Sequence, residues 1–167
     1  MSYWLKFEPD FDFDGEESSG GKLPGLGSGA VCSGGQICDG SNGFTSRYMW
    51  RDNGMAFLYL YHMDKPGDFG ENIELGRFFQ RGQWHNLIQR VKINDGNKKN
   101  GEIDVWMDGQ QVLSKKNIQF VNNGDKINTM FFNTFHGGSG PTWWPERDVH
   151  AYFDEFIIST DKCDVGL

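Results

Sequence analysis

The sequence is short of several things, and each shortage excludes something. No apolar run approaches the ~18 residues that a membrane-crossing helix needs, and the mean hydropathy is -0.59. Basic residues are outnumbered, 16 Lys+Arg against 23 Asp+Glu for a formal net charge of -7. A nucleic-acid binder normally carries a basic stripe, so no nucleic-acid partner is expected. Only three cysteines and four histidines occur, without the paired spacings of a four-coordinate zinc site. No metal or cofactor is therefore expected. Met1-Ser2-Tyr3-Trp4 has no basic stretch followed by an apolar one, so these residues show no signal peptide. Phosphate-cradling glycine loops and a nucleophile-elbow serine are missing too, and no segment keeps a 3.6-residue apolar stripe over three turns.

What is present is glycine, 23 residues, together with 6 Trp, 5 Tyr and 14 Phe. Glycine at this level without aromatics would indicate disorder; with them it indicates short strands and tight turns around a packed interior. Apolar and polar residues alternate over roughly 3–8, 44–51, 55–62, 84–93, 102–108, 111–114, 128–136 and 150–159. Asp108-Gly109 is the turn of one hairpin. About eight antiparallel strands in residues 1–167 predict a single all-β domain, a two-sheet sandwich or jelly roll. Residues 9–43 and 63–83 read as long irregular loops of the kind that carry function. Cys32 and Cys38 bracket a flexible Ser-Gly-Gly-Gln-Ile segment. A local disulfide is expected there, leaving Cys163 unpaired and favouring an oxidising compartment.

One hairpin has an unusual face. Phe44–Arg51 and Met55–Tyr61 flank Asp52-Asn53-Gly54, a three-residue loop ending in glycine. That register pairs Arg51 with Met55, Met49 with Phe57, Arg47 with Tyr59 and Thr45 with Tyr61, and cross-strand partners share a face. Phe44, Ser46, Tyr48, Trp50, Ala56, Leu58 and Leu60 then line the other side, which belongs between the sheets. Arg offers a planar fork for a carboxylate, and Tyr a stacking surface with a hydroxyl. The face suits a sugar chain carrying carboxylates; cation–π contacts on an ordinary sheet are the plainer reading.

The blocks Gly20-Gly21-Lys22-Leu23-Pro24-Gly25-Leu26, Cys32-Ser33-Gly34-Gly35, Thr45-Ser46-Arg47-Tyr48-Met49-Trp50-Arg51 and Leu58-Tyr59-Leu60-Tyr61 resemble polysaccharide lyase family 14, the alginate lyases of chlorella viruses and marine molluscs. Arg81-Gly82-Gln83-Trp84, Gln89-Arg90-Val91, Asn100–Trp106, Thr134–Ser139 and Ala151-Tyr152-Phe153 continue the resemblance in order, over nearly the whole chain. It implies a β-jelly roll with a cleft across a concave sheet, acting on an acidic polysaccharide. By motif, Lys22, Arg47, Tyr59 and Tyr61 match the catalytic set. Thr45 stands where the family usually has serine and His136 where members commonly have Phe. Full-length members precede the first strand with further sequence, which implies a shortened jelly roll here.

Uronate lyases remove the C5 proton and expel the C4 oxygen. The carboxylate must be neutralised first, a task for Arg47 with Lys22. The same cations are expected to lower the pKa of a neighbouring tyrosine from its ordinary ~10, so Tyr59 or Tyr61 serves as base and acid. In mannuronate and glucuronate the C5 proton and C4 oxygen lie on one side of the ring; guluronate needs a second group, for which His136 and His85 are candidates. Thr45, Arg51, Gln89, His136 and Trp143 are the candidate substrate-binding residues, with Trp143 or Trp144 stacking on sugar from the 137–144 segment. Asp10–Glu17 lacks the full calcium-loop spacing and reads as a solvated acidic loop. The expectation is a secreted monomeric lyase for mannuronate-rich alginate. The alternatives are a glucuronan lyase and a lectin-like binding module on the same fold. The net charge is no obstacle if Lys22, Arg47 and Arg51 form a positive cleft on an otherwise acidic protein.

Overall fold

The computed structural model describes residues 1–15, 19–138 and 140–167. Two antiparallel sheets pack face to face as a jelly-roll sandwich. β1 (Ser2–Phe7), β6 (Trp84–Lys92), β7 (Gly101–Met107), β8 (Gln110–Ile118) and β11 (Ala151–Ile157) form one sheet in the order β11-β1-β6-β7-β8. The other holds β2 (Gly21–Ser28), β3 (Phe44–Arg51), β4 (Met55–Tyr61) and β5 (Glu71–Phe78) side by side. The outer edge of β2 pairs with β9 (Ile127–Phe131) and β10 (Phe135–His136).

Strand alternation builds the core. Tyr3, Leu5 and Phe7 of β1, with Leu87, Ile103 and Val105, face Tyr48, Trp50, Leu58 and Leu60 of the second sheet. The β3–β4 register is the one that the turn and alternation predict, from Thr45 opposite Tyr61 to Arg51 opposite Met55.

Three expectations fail. The irregular stretch 9–43 contains β2, 63–83 contains β5, and 128–136 splits into β9 and β10. β2 was hidden because Gly-Lys-Leu-Pro-Gly-Leu-Gly-Ser is rich in residues that strands disfavour. Here the glycines are a packing requirement. A Cβ on Gly25 would lie 1.9 Å from the Ser46 carbonyl oxygen, and one on Gly21 would lie 1.9 Å from the Trp50 ring. Pro24 falls where the β2–β3 register shifts between Lys22 and Gly25, a bulge that spares it a ladder bond. β5 is an edge strand bearing Glu71, Glu74 and Arg77, charges that guard an edge but blur its alternation.

The second face of β3 and β4 is not an open groove. Met49, Tyr59 and Tyr61 form a separate buried cluster with Cys32 and Cys38 of the 29–43 loop. Cys32 and Cys38 are disulfide-bonded and Cys163 is free and exposed.

Candidate active site

β2, β3 and β4 each send one kind of group to this face. Lys22 comes from β2 because it is out of phase with Gly21, which lies under the core residue Trp50. Arg47 alternates with the core residues Tyr48 and Trp50 on β3, and Tyr59 and Tyr61 alternate with Leu58 and Leu60 on β4. The Lys22 Nζ donates to Met49 Sδ at 3.0 Å and lies 4.5 Å from the centre of the Tyr59 ring. The Arg47 guanidinium lies 5.5 Å from the Tyr59 ring and 5.0 Å from that of Phe131.

Lys22 is 8 % exposed and Arg47 5 %. None of the ion pairs among the described residues involves either of them or Arg51, and Arg47 Nε has no hydrogen-bond partner. Buried charge without a counter-charge is disfavoured by several kcal/mol, and lysine yields to it. Burial, with repulsion from Arg51 and Arg47, lowers the Lys22 pKa from 10.5 to about 7. Burial lowers that of Arg47 as well.

The two tyrosine hydroxyls are 3.3 Å apart, with rings perpendicular. Gly35 N–H donates to Tyr61 Oη at 3.0 Å, and Gly70 N–H donates to Tyr59 Oη at 3.2 Å. The expected lowering of tyrosine pKa by the cations is not met at Tyr59. Burial first, then the hydrogen bond and proximity to Tyr61, push it up to about 12, against smaller opposing effects of Gly70 and Arg47.

The remaining candidates divide. Arg51 stays on this face, its guanidinium 5.7 Å from the ring of Trp143, and Trp144 is exposed beyond it. Ser139 of that segment, like Glu16 and Glu17 of the acidic loop, lies outside the described residues. Thr45 is fully buried and its Oγ1 donates to the Cys32 carbonyl at 2.9 Å, so its hydroxyl holds the loop. Gln89 is buried on β6 of the opposite sheet, where it pairs with Val105, and is not brought to the site. His85 is held in that sheet too, with Nδ1 against Asp108 at 2.8 Å and Nε2 accepting from Gln80 N–H at 2.7 Å.

His136 misses the site by one residue. It pairs with Gly21 and packs on Phe11 and Trp50 on the core side. The neighbour Phe135 pairs with Lys22, sharing its face, and is 43 % exposed. Phe135 and Phe131 were overlooked because the β2 edge they pair with was not recognised as a strand. The Gly35 and Gly70 amides left no sequence signal beyond the glycines themselves.

The family model for polysaccharide lyase 14 matches residues 1–156. Alginate lyase Aly36B superposes with a TM-score of 0.77 at 30% identity, covering 92% of this chain and 65% of its own. The marine PL-14 alginate lyase from Aplysia kurodai gives 0.76 at 30% identity, covering 91% of this chain and 65% of its own. Alginate lyase vAL-1 from Chlorella virus gives 0.74 at 24% identity, covering 91% and 66%, a likeness of fold. Among curated proteins none matches. The chain thus spans about 65% of the length of the first two of these lyases. With a model match over almost its whole length and the Lys22–Arg47–Tyr59–Tyr61 group on one sheet face, the chain belongs to polysaccharide lyase family 14.

Proposed function

We propose that the chain is a lyase that cleaves alginate, with preference for mannuronate-rich stretches, by β-elimination across C4 and C5 of a uronate residue. The observation that carries the reading is a pair of buried cations, Lys22 and Arg47, with no carboxylate partner among the described residues, beside two phenols 3.3 Å apart. A uronate carboxylate supplies the missing counter-charge. The similar lyase Aly36B was captured with alginate trisaccharide and tetrasaccharide in forms substituted at a lysine plus a methionine or a tyrosine. Those residue types gather here as Lys22, Met49, Tyr59 and Tyr61.

In the reaction, Arg47, Lys22 and Arg51 neutralise the carboxylate so that charge developing at C5 is tolerated. One phenolate takes the C5 proton, the C4–O4 bond breaks, and O4 leaves with the proton of the other phenol. Tyr59, which keeps its proton to about 12, suits the acid. The hydrogen bond between the tyrosines then returns a proton from Tyr61 to Tyr59 and restores the starting state. Two phenols side by side serve a substrate whose C5 proton and O4 share one side, as in mannuronate. With His136 and His85 turned elsewhere, neither histidine is placed to serve the opposite side of guluronate. Loops 29–43 and 62–70 must shift to admit a polymer. The buried Cys32–Cys38 bond goes with a secreted protein.

The test is ultraviolet absorbance of the unsaturated uronate product on poly-mannuronate, poly-guluronate and glucuronan. Poly-mannuronate is expected to react fastest. A faster reaction on glucuronan moves the substrate to the other uronate of like C4–C5 geometry, and no product on any polymer ends the lyase reading.

Binding should also take up a proton. Free Lys22 has a pKa of about 7, and a bound carboxylate favours its ammonium form. Oligo-mannuronate affinity is therefore expected to fall as pH rises above about 7. Calorimetry at pH 7–8 in buffers of different ionisation enthalpy should show uptake of a fraction of a proton, which Lys22→Met abolishes.

A further inference from the structure

The sheet that does not carry the tyrosines has an outer face of its own. On β1, Trp4 and Lys6 alternate with the core residues Tyr3, Leu5 and Phe7, so both point away from the sandwich. Lys6 pairs with Tyr152 of β11 on one side and with Trp84 of β6 on the other. The three side chains therefore stand in a row across three strands. Trp84 is 42 % exposed and Tyr152 45 %, and the Lys6 Nζ lies 4.9 Å from the centre of the Trp84 ring and 5.1 Å from that of Tyr152. Trp4 and Trp106, half-buried on the same face, extend the aromatic surface beside the row.

Exposed rings in a row are unusual on a solvated sheet, and the charges around them narrow what they suit. The other outward cations of this sheet are matched: Arg90 pairs with Glu102 and Asp104, and Lys92 with Glu102. None of the ion pairs among the described residues includes Lys6. The acid that borders the row is Asp154, opposite Trp4, whose carboxylate accepts the Glu155 N–H. A charged lysine between the rings speaks against a protein partner, because interface cores are depleted of charge, and a two-fold dimer centred on the row would set two Lys6 ammoniums against each other. A sugar chain with carboxylates meets both demands. Its rings present apolar C–H faces to the aromatics, and its carboxylates give the ammonium an anion. The row spans two strand spacings, about 10 Å, so it takes a run of linked sugars.

We propose that this outer face is a second carbohydrate-binding surface, on the other sheet from the Lys22–Arg47–Tyr59–Tyr61 group, where Trp84 and Tyr152 stack on the sugar rings of an acidic polysaccharide and Lys6 holds one of its carboxylates. The choice of a uronate polymer rests on the lyase reading above; the row of rings and cation does not. A chain gripped where it is not cut keeps the protein on its substrate between cleavages.

The experiment measures retention of the protein in native gels containing poly-mannuronate or hydroxyethyl cellulose, a neutral glucan, with Arg47→Met as the background so that the polymer is scarcely consumed. Adding Trp84→Ala and Tyr152→Ala should weaken retention by poly-mannuronate about tenfold, with an unchanged circular dichroism spectrum. Lys6→Gln leaves both rings in place, and it serves if the ring variant does not fold. It should narrow the preference for poly-mannuronate over the neutral glucan about threefold, an effect that vanishes in about 1 M salt. Retention that neither variant changes, or equal retention by the two polymers before Lys6 is replaced, overturns the inference. A dimer in sedimentation that the ring variant breaks up gives the face to a second copy of the chain and overturns it too. If the unaltered protein cleaves no polyuronate while the ring variant still loses retention, the lyase reading falls and the surface stands.

Discussion

Arg47→Met is expected to reduce lyase turnover on the order of a thousandfold, the scale of removing a charge-stabilising donor, and to make the protein more stable. The two effects share one cause. Arg47 is buried with no counter-charge among the described residues and an unpartnered Nε. Its cation–π contacts with Tyr59 and Phe131 return roughly 1 kcal/mol each, less than the several kcal/mol that burying an unpaired ion costs. A methionine fills the same space with no charge, so a net gain of about 1–3 kcal/mol is expected in denaturant unfolding. A loss of stability would mean that Arg47 is structural.

Lys22→Met should behave alike, with a pH signature. Below about 7 wild-type Lys22 is protonated both folded and unfolded, so the full penalty of a buried ammonium is present. Between about 7 and 10.5 the folded protein releases the proton and the unfolded chain keeps it, so wild-type stability from this group rises with pH. The stabilisation by Lys22→Met is therefore largest below pH 7 and shrinks toward pH 10. A gain that is independent of pH would contradict the assignment of that pKa to Lys22.

Trp50→Ala is the second large effect, on folding. Trp50 is 2 % exposed and packs edge-on against Phe7, Phe11 and Phe13, and its Nε1–H donates to the Phe13 carbonyl. A cavity of this size costs about 3–5 kcal/mol, a large part of the 5–15 kcal/mol of a typical domain. A melting temperature lower by on the order of 10 °C should accompany it. A loss below about 1 kcal/mol would mean that the aromatic cluster collapses around the gap.

The hairpin that carries the site was legible because two independent signals agreed, the Asp-Asn-Gly turn and an alternation that buries Tyr48 and Trp50 while sending Arg47 to the other side. β2 was illegible as a strand because the residues that let it lie flat against β3, Gly21 and Gly25, are those that usually mark loops. That one omission displaced the reading at His136, since the face of a residue on β10 follows from its partner on β2. Gln89 shows a different limit. It lies on a strand that alternation finds, but alternation cannot tell which of two sheets a strand joins. The roof over the tyrosines could not be read either, because loop packing leaves no periodicity; the paired cysteines marked the loop, and the fold decided where it lay.

The fit between Gly21 and Trp50 has a consequence for how such chains diverge. The large ring occupies the space that any side chain on Gly21 would need, so Gly21 cannot change while Trp50 stays. A lineage that exchanges Trp50 for a small residue frees Gly21 to acquire a side chain, and one that keeps the tryptophan holds the glycine fixed. Because Lys22 is the next residue, that inherited pairing of a core position with a strand glycine also anchors the register that delivers the lysine to the opposite face.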